Sequence, residues 1–181
     1  MSRLRLLALI GVILAAAASR LIPHPPNLTP IAAMALFGGA HFDDRRLAFL
    51  IPLAAMFLSD LVIGLHGLLP VVYASFALIV CIGFWLRPRK SVFRVAGAVL
   101  AGSVSFFVIT NFGVWAWGSL YPKTLDGLVA AYVAAIPFFR NTLMGDAIYT
   151  VALFGGFAML QRLMSASRPA GHAAATRHRT A

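Results

Sequence analysis

The side chains that could bind a ligand or move a proton are few, and two of them lie inside apolar sequence. The chain has five acidic residues, all of them Asp, together with five His and a single cysteine, Cys81. Asp60 and Asp146 fall within long apolar segments. A charge in such a segment is costly and usually pairs with another charge or faces a functional cavity. We therefore expect these aspartates to form either an ion pair or part of a binding site.

Further polar residues fall at a similar depth in other apolar segments. Tyr73 lies four residues after Leu69, and Asn111 lies six residues before Trp117. At helical rise, Asp60 and Asp146 lie about 7 to 9 Å below the same surface. Four polar side chains on four predicted helices would share one layer, which predicts a polar pocket that opens outward. The adjoining connections add Arg20, His24, Asn27, Arg140 and Asn141.

Three kinds of function suit this layer. Its hydroxyl, amide and carboxylate groups could bind a small polar molecule, with Arg20 and Arg140 meeting ligand anions or orienting the aspartates. Alternatively, His24, His66, Asp60 and Asp146 form a mixed nitrogen and oxygen set that suits nickel or cobalt. In a third interpretation, Asp60 and Asp146 pair with Arg20 or Arg140 to fix helix register in an assembly protein that transports nothing.

Recognised catalytic sequences are missing from the chain. It contains no H-E-x-x-H, G-x-S-x-G, Walker or C-x-x-C motif. With one cysteine, the chain cannot form an internal disulfide or a multi-cysteine metal site. We expect no tightly bound cofactor, and the sequence gives no positive reason to predict an enzyme.

The elements that position these residues are predicted to be membrane helices. Of 181 residues, 61% are hydrophobic and 11% are charged, with a mean hydropathy of +0.88, whereas about a quarter are charged in soluble domains. This composition excludes an ordinary soluble protein and predicts an all-α polytopic bundle. Each crossing takes about 20 residues. The six apolar segments are 4–22, 30–41, 47–65, 69–86, 95–117 and 141–163.

Two apolar segments are short for a membrane crossing. Residues 30–41 rise only about 18 Å, against a hydrocarbon core of about 30 Å. We expect this helix to be tilted or re-entrant and buried among the others. Residues 124–139 contain Pro137 and are interpreted as an interfacial helix or a lid over the pocket. Three helix starts are predicted at the pocket: one at Thr29 with Pro30, one at Pro70, and one at Asn141 or Thr142.

The basic residues predict the orientation. The net charge is +10, but Lys and Arg lie between apolar runs rather than on one face, so we expect no nucleic acid partner. If six spans cross the membrane in alternating directions, twelve basic residues fall on one side and three on the other. Because cytoplasmic loops are enriched in Lys and Arg, both termini are predicted to be cytoplasmic. The minority side holds only Arg20, Lys123 and Arg140.

The two ends of the chain carry separate predictions. Residues 1–18 also fit a cleavable signal peptide, which is the alternative to a first span. Residues 1–164 otherwise form one transmembrane domain. Residues 165–181 are small, polar and basic, which predicts a disordered cytoplasmic tail with solvated His172 and His178.

Small residues recur at four-residue spacing on two predicted helices. They are Gly11, Ala15 and Ser19 on the first span and Gly97, Ala101 and Ser105 on the fifth. Such stripes let helix backbones approach closely in a membrane. We expect them to pack within the bundle, or alternatively to bind a partner membrane protein.

Several stretches resemble known proteins. Residues 19–40 (SRLIPHPPNLTPIAAMALFGGA), the step Leu58-Ser59-Asp60-Leu61, and residues 111–146 with YPKTL and PFFRNTLMGD resemble a family of small bacterial integral membrane proteins of largely unassigned function. That resemblance covers about residues 19–160. The size, the six spans and the first stripe also resemble the S components of energy-coupling-factor transporters. Those proteins bind vitamins or metal ions and work with a transmembrane coupling protein and paired ATPases.

The second resemblance implies a function. The closest analogue is the solitary cobalamin S component of the BtuM type, which implies Cys81 as a cobalt ligand and cobalamin as a substrate. We therefore expect an S-component-like protein of the bacterial inner membrane, surrounded by lipid, that binds a small vitamin-like molecule for uptake with a coupling partner. The expected binding residues are Arg20, His24, Asn27, Asp60, Tyr73, Asn111, Arg140, Asn141 and Asp146.

Overall fold

The computed structural model describes residues 2–166, and this part of the chain folds into helices without a strand. The predicted all-α fold is confirmed. Residues 165 and 166 of the predicted tail belong to the last helix, and the rest of the tail from 167 onward, including His172 and His178, lies outside the described residues. The helices are α1 Arg3–Ser19, α2 Ile31–His41, α3 Arg45–Ile63, α4 Leu69–Phe84, α5 Val92–Trp117, α6 Leu125–Thr150 and, after a π-helical turn at Val151–Gly155, α7 Gly156–Ala166.

Three helices are long and apolar enough to cross a membrane. They are α3, α5 and the continuous 42-residue helix Leu125–Ala166 that joins α6 to α7. The helices α2 and α4 are apolar but shorter. These lengths indicate a membrane protein, while six crossings and cytoplasmic termini stay predictions.

Polar side chains determine where several helices begin. Ser2, Asp44, Ser91 and Thr124 each accept a hydrogen bond from a backbone N–H in the following turn, which is the usual role of such residues before a helix. Pro70 lies in the first turn of α4, as predicted. The residue before α2 is Pro30, and it makes no capping hydrogen bond, so the prediction of a Thr29 cap is wrong.

The largest difference from the sequence prediction lies in α6. The predicted lid at 124–139 and the predicted span at 141–163 are not separate elements, because α6 runs unbroken through Pro137. Asn141 and Thr142 therefore lie inside the helix and do not begin one. Prolines are tolerated within membrane helices because neighbouring groups satisfy the backbone groups that they free.

The short helix α2 lies at the centre of the bundle. Ten of its eleven residues are buried, which confirms the prediction that it is enclosed by the other helices. It crosses α4 at two glycines: a Cβ on Gly39 would lie 2.2 Å from the Val80 carbonyl oxygen, and one on Gly83 would lie 2.5 Å from that of Leu36. The two backbones touch here, so a larger residue does not fit.

Arg87 caps the carboxyl end of α2. Its guanidinium donates to the carbonyl oxygens of Gly39, Phe42 and Asp43 at 2.9, 2.6 and 3.3 Å. It also lies 4.4 Å over the ring of Phe84. The last carbonyls of a helix lack intrahelical partners and carry the negative end of its dipole. Arg87 satisfies both the hydrogen bonds and the charge.

The small-residue stripes do not pack within the bundle as expected. Gly11 and Ala15 are exposed, as are Gly97 and Ala101. Nothing lies within 4 Å of a Cβ added at Gly11 or Gly97. At the end of the first stripe the Ser19 hydroxyl lies 3.0 Å from that of Tyr149, and at the end of the second stripe Ser105 is half-buried. The other four residues of the two stripes are exposed.

Candidate functional site

Two adjoining cavities lie at the end of the bundle opposite Arg87, and we refer to them together as the polar cavity. Their volumes are about 290 and 430 Å³. Ligand pockets commonly measure about 300 to 1,000 Å³, so the polar cavity is large enough for a small molecule. Both parts are lined by Arg20, Asn27, Ile31, Phe106 and Thr142.

A buried ion pair lies on one wall of the polar cavity. Arg20 Nη2 donates to Asp60 Oδ1 at 2.7 Å, and the two side chains are only 9% and 5% exposed. Tyr73 donates its hydroxyl to Asp60 Oδ2 at 2.8 Å. Arg20 Nη1 donates to the Ser59 hydroxyl and to the Met56 carbonyl. Both carboxylate oxygens therefore have a donor, one from the α1–α2 connection and one from α4.

Arg20 keeps one donor without an acceptor. Its Nε is buried and has no hydrogen-bond partner among the described residues. Buried polar atoms are usually paired, so an unpaired one needs an explanation, which can be an unseen ligand or water. The residue that carries this atom lines both parts of the polar cavity.

A second acid lies at the start of α2. Asp146 on α6 is 2% exposed, and its Oδ2 accepts a hydrogen bond of 2.6 Å from Ser103 on α5. It also accepts one from the backbone N–H of Ala33, which is an unpaired donor in the first turn of α2. Asp146 lines the smaller part of the polar cavity. Its carboxyl thus joins three helices at the floor of the site.

The connection between α1 and α2 closes one side of the cavity. Asn141 Nδ2 donates to the Pro26 carbonyl at 2.9 Å and fixes this connection to α6. Asn27 adopts φ of 64°, a left-handed conformation that Asn tolerates better than most residues. Gly145 on α6 allows close approach, since a Cβ there would lie 3.0 Å from the Thr29 nitrogen.

Aromatic rings form the remaining wall. Phe106, Phe107, Phe138 and Phe139 line the polar cavity with apolar surface. Phe107 and Phe139 lie 4.5 Å apart between ring centroids, within the range of favourable ring pairs. The site therefore combines one charged wall with one aromatic wall.

The structure brings most of the predicted binding residues together. Arg20, His24, Asn27, Asp60, Asn111 and Asp146 line the polar cavity. Tyr73 contacts it through Asp60, and Asn141 contacts it through Pro26. Asn111 Nδ2 is already engaged by the Phe107 carbonyl at 2.8 Å.

Two predicted residues lie away from the cavity. Arg140 is exposed on α6 and does not line it. Cys81 is also exposed, on the outside of α4, and lines neither part of the cavity. The predicted contact of Cys81 with a ligand in this cavity is therefore absent from the described structure.

Sequence reasoning missed several contributors to the site, which are Ser59, Ser103, Thr142 and the lining rings of Phe106, Phe107, Phe138 and Phe139. Ser59 and Thr142 are each adjacent to a residue that was predicted, so neighbouring hydroxyls were the available signal. Ser103 is one of two serines in the apolar helix α5, where hydroxyl groups commonly bond to the helix's own backbone. Phe106 had no distinguishing signal, because apolar residues surround it.

The structure bears differently on the two alternative interpretations of the polar layer, a metal site and a structural ion pair. Among residues 2–166, no three His, Cys or Asp side chains lie close enough to hold a metal ion. His66 does line the cavity with Asp60, but the expected nickel or cobalt set is not assembled. The Arg20–Asp60 ion pair of the structural alternative is present, whereas Asp146 bonds to Ser103 and the α2 backbone rather than to an arginine.

These features define a helical membrane protein with a polar cavity at one end. The chain belongs to a family of unknown function, DUF6580, whose model matches residues 1–169. No curated protein and no solved structure matches the chain.

Proposed function

We propose that this protein binds a small vitamin-like molecule in the polar cavity and serves as the substrate-binding subunit of a membrane uptake system. The observation that carries the proposal is the buried Arg20, which lines both parts of the cavity, pairs with Asp60 and has an Nε without a hydrogen-bond partner among the described residues. A ligand with a carboxylate or another acceptor would meet this guanidinium. Its apolar part would lie against the aromatic wall.

The shape of the site supports a ligand smaller than cobalamin. A corrinoid with its nucleotide loop is large compared with cavities of about 290 and 430 Å³. Cobalt ligation by Cys81 is also not supported, since that thiol is exposed on the outside of α4. We therefore propose an amphipathic ligand with a single acidic or hydrogen-bonding group.

The proposed role in uptake rests on the distribution of charge. Arg5 and Arg87 contact the carboxyl end of α2, while Arg20 lies at the opposite, cavity end. With the basic end in the cytoplasm, the cavity would open to the outside of a bacterial inner membrane crossed six times. The exposed stripes at Gly11 and Gly97 would suit a coupling protein, and the chain itself carries no Walker motif.

The test is native mass spectrometry of the detergent-purified chain, before and after incubation with a pool of vitamins that includes cobalamin. We expect a discrete added mass that survives desalting. Asp60→Asn should weaken the adduct about tenfold, because it removes the charge that holds Arg20 in place. Asp126→Asn is the matched control, because Asp126 is an exposed acid outside the cavity.

Two results would contradict the proposal. One is a folded, monodisperse sample that binds no member of the pool. The other is an adduct that Asp60→Asn and Asp126→Asn affect equally. Either result would favour a non-transporting assembly protein, for which the internally paired Arg20 and Asp60 serve only to fix the helices.

A further inference from the structure

A second cavity lies on the side of the bundle, remote from the polar cavity. This apolar groove has a volume of about 680 Å³ and runs between α5 and the continuous helix of α6 and α7. Val95, Val99, Leu143, Ala147 and Phe154 contribute to its lining. The lining residues on α6 and α7 extend from Leu143 to Gln161, a rise of about 27 Å. These dimensions suit an extended hydrocarbon chain.

One end of the apolar groove is positively charged. Lys90, in the α4–α5 connection, lines this end together with His41. Partial burial and the neighbouring charges of Arg5 and Arg87 lower the pKa of Lys90, with Asp43 acting in the opposite direction. The Lys90 ammonium makes one hydrogen bond, of 3.2 Å, to the Arg87 carbonyl. The cluster would therefore be stabilised by an additional anion.

A buried hydroxyl provides an independent indication of a ligand. Thr150 lines the apolar groove and is only 7% exposed, yet its Oγ1 has no hydrogen-bond partner among the described residues. It directly precedes the π-helical turn Val151–Gly155. Such turns are rare and occur frequently at functional sites.

We propose that the apolar groove binds one anionic phospholipid, with its phosphate at Lys90 and an acyl chain between α5 and α6. Charge complementarity selects this occupant, because a basic cluster at the mouth of an apolar cleft matches a phosphate attached to hydrocarbon. Basic pockets between membrane helices bind anionic headgroups in this way. The Thr150 hydroxyl would donate to an ester oxygen of the same lipid. This site is separate from the polar cavity and does not depend on its proposed function.

The test measures binding of dioleoylphosphatidylglycerol and dioleoylphosphatidylcholine to the full chain by native mass spectrometry. We expect the first phosphatidylglycerol to bind about fivefold more tightly than phosphatidylcholine, which is the contribution of one basic side chain near an anionic headgroup. Lys90→Gln should remove this preference. Arg46→Gln, at an exposed basic residue that does not line the groove, should retain it.

Two glycine variants distinguish a filled groove from a misfolded protein as the cause of weaker lipid binding. A Cβ added at Gly155 or Gly156 meets nothing within 4 Å, so a side chain can leave the backbone freely at both positions, but only Gly155 lines the groove. Gly155→Leu should weaken binding of both lipids, whereas Gly156→Leu should not. Three results would overturn the proposal. They are equal binding of the two lipids by the natural chain, equal effects of the two glycine variants, and a dimer mass that excludes lipid.

Discussion

Each end of the bundle holds a partly buried arginine, and the two are used differently. Arg87 donates to three backbone carbonyls around the end of α2 and lies over Phe84. Arg20 instead contacts the side chains of Asp60 and Ser59 as well as the Met56 carbonyl, and its Nε has no hydrogen-bond partner among the described residues. Carbonyls at a helix end are fixed acceptors, whereas side chains can move. Arg87 is therefore a structural cap, whereas Arg20 is the arginine that we propose to bind the ligand.

We expect the largest loss of stability when Arg20 alone is removed. Arg20→Met leaves Asp60 buried without its cation, and we expect a loss of about 3 to 5 kcal/mol in unfolding free energy. The double variant Arg20→Met with Asp60→Leu should recover most of this stability, because apolar replacements of a buried ion pair are often neutral. Unfolding in detergent would measure both. If the double variant were as unstable as the single one, the ion pair would not be the cause.

The next effect concerns the crossing near Arg87. Gly83→Ala places a Cβ 2.5 Å from the Leu36 carbonyl, so α2 and α4 must move apart at a cost of about 3 kcal/mol. Gly97→Ala is the control, since its Cβ meets nothing within 4 Å, and it should be neutral or slightly stabilising. Thermal melts of the two variants would decide. Equal melting temperatures would contradict the close crossing.

Removing Arg87 should have a smaller effect on stability and none on ligand binding. Arg87→Met leaves carbonyls of α2 without a donor, and we expect a loss of about 2 kcal/mol. The affinity of the polar cavity for its ligand should stay unchanged in Arg87→Met, whereas it should fall in Arg20→Met. Titration of the ligand found by mass spectrometry would compare the two variants. A parallel loss of affinity in Arg87→Met would show that the two ends are not independent.

The smallest expected effect is at Cys81. Because this side chain is exposed outside α4, Cys81→Ala should change neither stability nor ligand affinity beyond about 0.5 kcal/mol. The same binding titration provides the measurement. Loss of a cobalamin adduct in this variant would contradict the placement of the thiol and revive it as a cobalt ligand.

The sequence predicts the helices better than their rotations. Hydropathy locates α2 to α5 to within a few residues, because the two ends of an apolar segment mark approximately where the helix begins and ends. It does not report which face of the helix points inward, since lipid and protein interior are both apolar. That is why Gly11 and Gly97, assigned to internal packing, face outward, and why Cys81 faces away from the cavity.

The site could be predicted where residues are charged. Asp60 and Asp146 are costly in a membrane and so had to have partners, which the structure provides in Arg20 and Ser103. Arg140 does not line the cavity, and the predicted start of a helix at Asn141 is wrong. Pro137 suggested a break in the chain, but the tertiary surroundings allow α6 to continue through it.

The short helix α2 also has a consequence for how the protein is made. Asp146 meets the backbone at its amino end, and Arg87 meets the carbonyls at its carboxyl end. The ribosome synthesises both residues after α2, and Asp146 lies in the last long helix. During insertion, the amino end of α2 therefore lacks its Asp146 partner until α6 emerges, whereas Arg5 and Arg87 reach the carboxyl end earlier. We expect α2 to reach its final hydrogen bonding late in biogenesis, although it is among the first segments to leave the ribosome.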